Sequence, residues 1–328
     1  MPEHAIVTKA LTKNFGHFAA VDGLNVRVGK GELFGLLGPN GAGKTTTVRM
    51  LCTLIEPTRG TANIVGYDIR EQAAEVRRQI GVVSEGVSLY KDLSIEENLK
   101  LLSTLYEIPR PKAEVRIREL MDMFAFREKA TRLVGALSSG WAKKAMICAA
   151  LLHSPQVLFL DEVTSGLDPQ SAIGLQDFTK KQCEQGVTVI WTTHYMGEPE
   201  KICDRIGIMF AGRLVQVGTP EELKHSVSEL SVVEVETPSL SKGQLEKLKV
   251  RLREIRQVYH IKYADPKLEV SCERTETLAE EVASALLGIG ARIRAISTKD
   301  PTLEETFIAL TGGEEEIDRF LENAGQKA

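Results

Sequence analysis

Residues 38–46 read GPNGAGKTT. Gly38, Gly43, Lys44 and Thr45 satisfy the pattern G-x-x-x-x-G-K-[ST]. The stretch lies between an apolar strand-like run, Leu33 to Leu37, and a helix-like run, Thr46 to Leu54. That context matters more than the letters, because a strand leading into a glycine turn and a helix aims successive backbone N–H groups at one point. The helix N-terminus adds a partial positive charge of about half an elementary unit. Pro39, Asn40, Gly41, Ala42 and Thr46 complete a loop expected to cradle phosphate, with Lys44 reaching the β- and γ-phosphates and Thr45 ligating Mg²⁺. An ordinary glycine-rich turn is the competing reading, and the flanking strand and helix patterns weigh against it. The chain is therefore expected to bind a nucleoside triphosphate.

Further along, Val157 to Leu160 is a run of four apolar residues followed by Asp161 and Glu162. Hydrolysis of a nucleoside triphosphate needs a carboxylate that organises the metal shell and a base that orients water, and this adjacent pair suits both tasks. Val187 to Thr193 is another buried β-branched run, leading to His194. Strands that alternate with helices imply a mostly parallel sheet with its ligand at the carboxyl ends of the strands. Gly38, Asp161 and His194 all lie just beyond such ends.

The remaining segments fit around this sheet. Ala5 to Leu11 and Leu24 to Val28 alternate as half-buried antiparallel strands, and Phe15 between them is open to two readings, a core aromatic or a platform for a nucleotide base. Thr61 to Val65 and Ile80 to Val83 read as strands separated by a helix, Arg70 to Gln79. A helical insert at about 88–155 contains Ser94 to Leu105, with Glu97 completing a capping box, then Pro111 to Phe124 and Trp141 to Leu152. Ile206 to Phe210 and Arg213 to Val217 pair as a hairpin, and Thr219 to His225 reads as a closing helix. From about Leu230 the order becomes β-α-β-β-α-β, a ferredoxin-like arrangement with a turn at Asp265 and Pro266. A helix, Thr302 to Leu310, precedes an acidic tail with Glu314, Glu315, Glu316 and Asp318 that reads as solvated. The expected divisions are 1–228, 229–312 and a tail, 313–328.

A chain of 328 residues suggests two domains. The formal net charge of −4 gives no general pull toward nucleic acid. Five scattered cysteines form no C-x-x-C pair and read as reduced thiols of a cytosolic protein. The segment MPEHAIVTKA lacks the regions of a signal peptide, and no stretch approaches the ~18 apolar residues of a membrane span, so any membrane-crossing path must come from another chain.

Leu137 to Gly140, LSSG, opens the last helix of the insert. With it the set resembles the ATP-binding subunit of ABC transporters. LSSGW stands where that family has LSGGQ or LSGGM, and KKAMICAALLHSPQVLFLDEVTSGLDP is similar to the family throughout. Thr164 to Pro169 looks like the D-loop with Asp168 its acid, His194 matches the switch histidine, Phe15 matches the base-stacking aromatic and Glu85 stands at the Q-loop glutamine. The resemblance runs from Ala5 to about His225. PTLEETFIALTG, from Pro301 to Gly312, also resembles the carboxyl end of drug-resistance and sodium-export subunits that work with separate ABC-2 permeases.

The resemblance implies a P-loop fold of ABC type with a small C-terminal α+β domain. It implies an ATPase with Mg²⁺, peripheral on the inner face of the cell membrane through an ABC-2 type permease. It also implies a head-to-tail homodimer or heterodimer with a second ABC ATPase subunit. In such a dimer each ATP lies between one phosphate loop and Ser138, Ser139 and Gly140 of the other subunit. Glu162 is the expected base, with His194 at the γ-phosphate and Thr45, Asp161 and Glu85 around the metal. A regulatory subunit or a non-transport ABC protein with slow hydrolysis is the alternative. Two departures bear on rate. A carboxylate at Glu85 about 6 Å from one triphosphate charge costs about 3 kcal/mol unless it ligates the metal. A left-handed backbone at Ser139 costs about 1–2 kcal/mol relative to glycine.

Overall fold

The computed structural model describes residues 3–84, 88–227, 230–255, 258–273, 277–313 and 317. The chain divides into two compact units, Met1–Leu214 and Val215–Ala328. In the first, β1 (His4–Phe15), β2 (Phe18–Leu24) and β3 (Arg27–Gly29) precede β4 (Leu33–Leu37) and α1 (Lys44–Leu51). Next come β5 (Arg59–Ile64), β6 (Tyr67–Asp68), α2 (Ala73–Gln79) and β7 (Ile80–Val83). The helical insert holds α3 (Ile95–Leu105), α4 (Arg110–Met123) and α5 (Ser139–Ala150). Then follow β8 (Val157–Asp161), α6 (Pro169–Glu184), β9 (Thr188–Thr193), α7 (Pro199–Ile202), β10 (Arg205–Phe210) and β11 (Arg213–Gly218), which runs across the division.

The antiparallel layer has the order β2-β1-β5-β6, with β3 on β1. Sequence alternation suggested two short strands here. The structure has three, because the turn after Phe15, where Gly16 takes φ 58, folds β2 back on a longer β1.

The second sheet has the order β11-β10-β4-β9-β8-β7, and β10, β4, β9, β8 and β7 run parallel. Every residue of β4, β8 and β9 is buried, as expected of central strands covered on both faces. Register then brings the chemistry together. Leu36 pairs with Thr192, and Thr192 pairs with Asp161. The phosphate loop, Glu162 and His194 therefore leave the sheet at one edge, with β9 between β4 and β8.

Local signals account for most helix ends. The Ser94 hydroxyl accepts from Glu97 N while the Glu97 carboxylate accepts from Ser94 N, the reciprocal cap that starts α3. Helix α1 starts at Lys44 rather than Thr46 and stops at Leu51 rather than Leu54, since Thr53 turns to φ 57. Helix α6 has no counterpart in the sequence reading, although Asp168 and Pro169 form a cap followed by a proline at its first turn.

The second unit contains α8 (Pro220–Ser226), β12 (Leu230–Glu236), α9 (Lys242–Ile255), β13 (Val258–Ala264), β14 (Lys267–Glu273), α10 (Leu278–Gly288), β15 (Ala295–Lys299) and α11 (Leu303–Leu310). Its antiparallel sheet has the order β13-β14-β12-β15, the ferredoxin-like arrangement of a β-α-β-β-α-β chain. It has its own core, in which Val233, Val235, Leu268 and Val270 of the sheet meet Leu248 and Leu252 of α9 and Val282 and Leu286 of α10. The compact division falls at Leu214, earlier than residue 228, and α8 packs with α11 inside the second unit. Glu314, Glu315, Glu316 and Asp318 lie outside the described residues.

All five cysteines are free thiols. Burial pushes the Cys148 and Cys183 thiols up to about 12, so neither supplies thiolate near neutral pH. Among the described residues no helix is long and apolar enough to cross a membrane.

Candidate functional site

The loop between β4 and α1 is closed by its own lysine. Lys44, first residue of α1 and 4% exposed, donates from Nζ to Gly38 O at 2.8 Å and Pro39 O at 3.0 Å. Its ammonium also lies 3.4 Å from Glu162 Oε1. Burial holds the Lys44 pKa below its usual value, opposed by the nearby Glu162 and Asp161 carboxylates. Asn40 and Gly41 at the loop tip are exposed, while Gly38, Ala42 and Gly43 are buried. Gly43 caps α1 at φ 104, a conformation that an L side chain rarely adopts.

Asp161 ends β8 and is 6% exposed. Its Oδ1 accepts from the Thr45 hydroxyl at 3.3 Å and from the Thr192 hydroxyl in a short contact. Burial raises the Asp161 pKa, and the two hydroxyls oppose that shift by favouring the carboxylate. Thr192 is a site residue that the sequence reading missed. It sits inside an apolar run, and only the register between β8 and β9 aims it at Asp161.

Glu162 follows with φ 50, left-handed for a residue that carries a Cβ. Its backbone N–H donates to Thr192 O at 3.1 Å and to the Thr192 hydroxyl at 3.2 Å. The turn points the carboxylate across the sheet edge, where Oε2 lies 3.3 Å from His194 Nδ1 and Oε1 faces Lys44. His194 Nδ1 is buried and makes no geometrically sound hydrogen bond to the described residues, so the 3.3 Å approach is proximity rather than a formed bond. A cation, a carboxylate and an imidazole thus share one partly open corner.

The other expected site residues sit elsewhere in the unit. Phe15 is 53% exposed at the β1–β2 turn, with Lys13 Nζ 5.2 Å from its ring centroid. Exposure removes the core-aromatic reading. Ser138 caps α5 with φ −66 and accepts no side-chain cap bond, and Ser139 is the first helical residue. Ser139 is absent from the positive-φ residues, which corrects the expected left-handed strain at that position. Helix α5 begins at Ser139 rather than Trp141, and glycine is not needed there. Gly140 lies near Leu167 and Ser171 rather than the phosphate loop. The Asp168 side chain accepts from Ser171 N at 2.9 Å, so in this chain it caps α6. Glu85 lies outside the described residues.

These residues fit a magnesium nucleotide. Among the described residues there is no cluster of three or more His, Cys, Asp and Glu side chains able to hold a metal alone. Mg²⁺ is instead commonly held by one or two carboxylates with substrate phosphates and water, and the Asp161 carboxylate beside the Thr45 hydroxyl suits that incomplete donor set.

Comparison with known proteins identifies relatives of both units. The family described as ABC transporter matches residues 21–165, and the family described as ATP-binding protein DrrA1-3-like, C-terminal domain, matches residues 218–311. The probable multidrug ABC transporter ATP-binding protein YbhF of Escherichia coli (strain K12) is 41% identical over 222 residues, covering 68% of this chain and 38% of that protein. The chain thus spans well under half the length of that relative. The daunorubicin/doxorubicin resistance ATP-binding protein DrrA of Streptomyces peucetius is 34% identical, covering 99% of this chain and 98% of that protein. Among solved structures, the dimeric bacterial ABC transporter cassette MJ0796 is 25% identical with a TM-score of 0.60, covering 65% of this chain and 98% of that one.

Proposed function

The chain belongs to the ABC transporter family of ATP-binding proteins, and from that premise we propose that it is the ATP-hydrolysing subunit of an exporter whose membrane path is a separate permease. The observation that carries the hydrolytic reading is the meeting of Lys44, Glu162 and His194 within 3.4 Å and 3.3 Å contacts at the edge where the phosphate loop ends. The export reading draws on the DrrA-like C-terminal match and on a relative named for drug resistance.

In this reading the loop N–H groups and Lys44 bind the β- and γ-phosphates, exchanging the Lys44 bonds to Gly38 and Pro39 for phosphate oxygens. Thr45 and Asp161 would hold Mg²⁺, which would offset phosphate charge when bound. Glu162 accepts the proton of the attacking water, and His194 contacts the γ-phosphate. The partner is an ABC-2 type permease, which holds the chain at the cytoplasmic face of the membrane. Recovery of the tagged chain from membranes should bring down a polytopic protein, and the purified chain should release phosphate from ATP only when Mg²⁺ is present. Phosphate release unaffected by chelating Mg²⁺ would overturn the metal assignment.

A Cβ at Gly140 would meet Leu167 and Ser171 and no phosphate-loop atom within 4 Å, which supports a site completed by a second subunit. At saturating MgATP the Glu162→Gln variant is expected to shift from monomer to dimer in sedimentation velocity, because ligand bound only in the associated state adds its binding free energy to association. A monomer at high concentration with ATP present would count against self-association and favour a heterodimer.

The exposed face of Phe15 is the base platform in this reading. Phe15→Ala should weaken ATP binding by about 30-fold, the middle of the range for losing one base–aromatic stack. GTP binding should weaken comparably, since stacking does not read the exocyclic groups. Unchanged affinity in a fluorescence titration would remove Phe15 from the site.

A further inference from the structure

The turn that carries Glu162 is gripped from two sides, and neither grip belongs to phosphate or metal binding. On one side is Lys143 of α5, one helical turn beyond Ser139. Its ammonium donates to Glu162 O at 3.0 Å and to Ser165 O at 3.0 Å. On the other side is Glu198. Its Oε2 accepts from the Thr164 hydroxyl at 3.0 Å and from the Thr193 hydroxyl at 2.9 Å. Thr193 immediately precedes His194, and its hydroxyl also accepts from Tyr195 N at 3.0 Å. Both Lys143 and Glu198 are partly buried.

The arrangement answers a physical need. Glu162 sits at φ 50, a backbone state that persists only when its surroundings over-determine it. Two carbonyls fixed by one ammonium, together with a threonine hydroxyl fixed by one carboxylate, supply that restraint. Charge-assisted bonds of this kind are stronger than neutral ones and lose less to water when partly buried. The same carboxylate joins Thr164 to the strand end that carries His194, so the positions of base and histidine depend on one group.

We propose that Lys143 and Glu198 are positioning residues that hold the Glu162 carboxylate in register with Lys44 and His194. Lys143 ties the turn to the helix that opens at Ser139, and Glu198 ties it to the end of β9. The proposal rests on the reading of Glu162 as the base.

Steady-state ATP hydrolysis by the full chain tests it, with Lys143→Met, Lys143→Arg, Glu198→Ala and Glu198→Gln compared at equal thermal stability. A reacting group displaced by about 1 Å can lose about 10²-fold in rate. Lys143→Met and Glu198→Ala are therefore expected to lower kcat by about 10- to 100-fold while KM for ATP stays within about twofold. Lys143→Arg and Glu198→Gln, which keep a donor and an acceptor respectively, should recover most of the loss. In a Glu162→Gln background, Lys143→Met should cost almost nothing further, because both changes act on one group. The proposal is overturned if kcat is unchanged, if the conservative variants fail to rescue a folded protein, or if the losses multiply in the Glu162→Gln background. A Glu162→Gln single variant with parental turnover would instead overturn the underlying reading of the base, a result separable from the other three.

Discussion

Glu162→Gln is expected to lower ATP turnover by roughly 10² to 10⁴ while equilibrium ATP binding remains within a few fold of the parent. The amide keeps the length of the side chain and the backbone turn at φ 50, which is held by Thr192, Lys143 and Glu198 rather than by the Glu162 carboxylate. It removes basicity. It also removes the negative charge 3.4 Å from Lys44, and that change should aid rather than hinder the approach of a triphosphate. A purely structural role for Glu162 predicts something different. Loss of the carboxylate would then release Lys44 and His194 together, and affinity would fall with turnover. Nucleotide titration alongside single-turnover hydrolysis separates the two, and a parallel fall in both would remove Glu162 as the base.

Much of this site was legible because its residues follow strand ends. Leu33 to Leu37, Val157 to Leu160 and Val187 to Thr193 announce buried parallel strands by composition alone, and Gly38, Asp161 and His194 follow them. The capping box at Ser94 was equally readable, since both partners lie within one turn of chain. Residues whose roles depend on pairing between strands were not legible. Thr192 has nothing in its neighbours to mark it as the partner of Asp161, a bond created by register between β8 and β9. Lys143 and Glu198 reach the 162–165 turn across sequence gaps that no periodicity spans. Ser139 shows the reverse error. Its departure from glycine suggested strain, but the chain enters α5 at that residue with Ser138 extended, and helical backbone accommodates serine.

The phosphate loop offers a sharper test of geometry, because two glycines with similar backbones differ in what surrounds them. Gly43 takes φ 104 and Gly66 takes φ 96. A Cβ at Gly66 meets nothing within 4 Å, whereas one at Gly43 would stand 2.4 Å from Ala20 O and 3.1 Å from the Met209 methyl. Gly66→Ala therefore bears only the backbone penalty, about 1–2 kcal/mol. That cost should appear as a drop of about 2–8 °C in thermal midpoint with ATP affinity unchanged. Gly43→Ala carries the same penalty and a backbone clash that no rotamer can relieve, since the obstacle is the carbonyl of β2. The loop must move away from β2 and carry the N–H groups with it, and Lys44 moves too as the first residue of α1. Losing two N–H bonds to charged phosphate at about 1.5 kcal/mol each corresponds to a loss of about 10²-fold in ATP affinity, accompanied by a larger fall in midpoint than in Gly66→Ala. Calorimetric titration and thermal unfolding of the two variants side by side read both effects. Matching midpoints and matching affinities would mean that β2 yields to the new methyl group, and that the tight packing of Gly43 against Ala20 is not what shapes the loop.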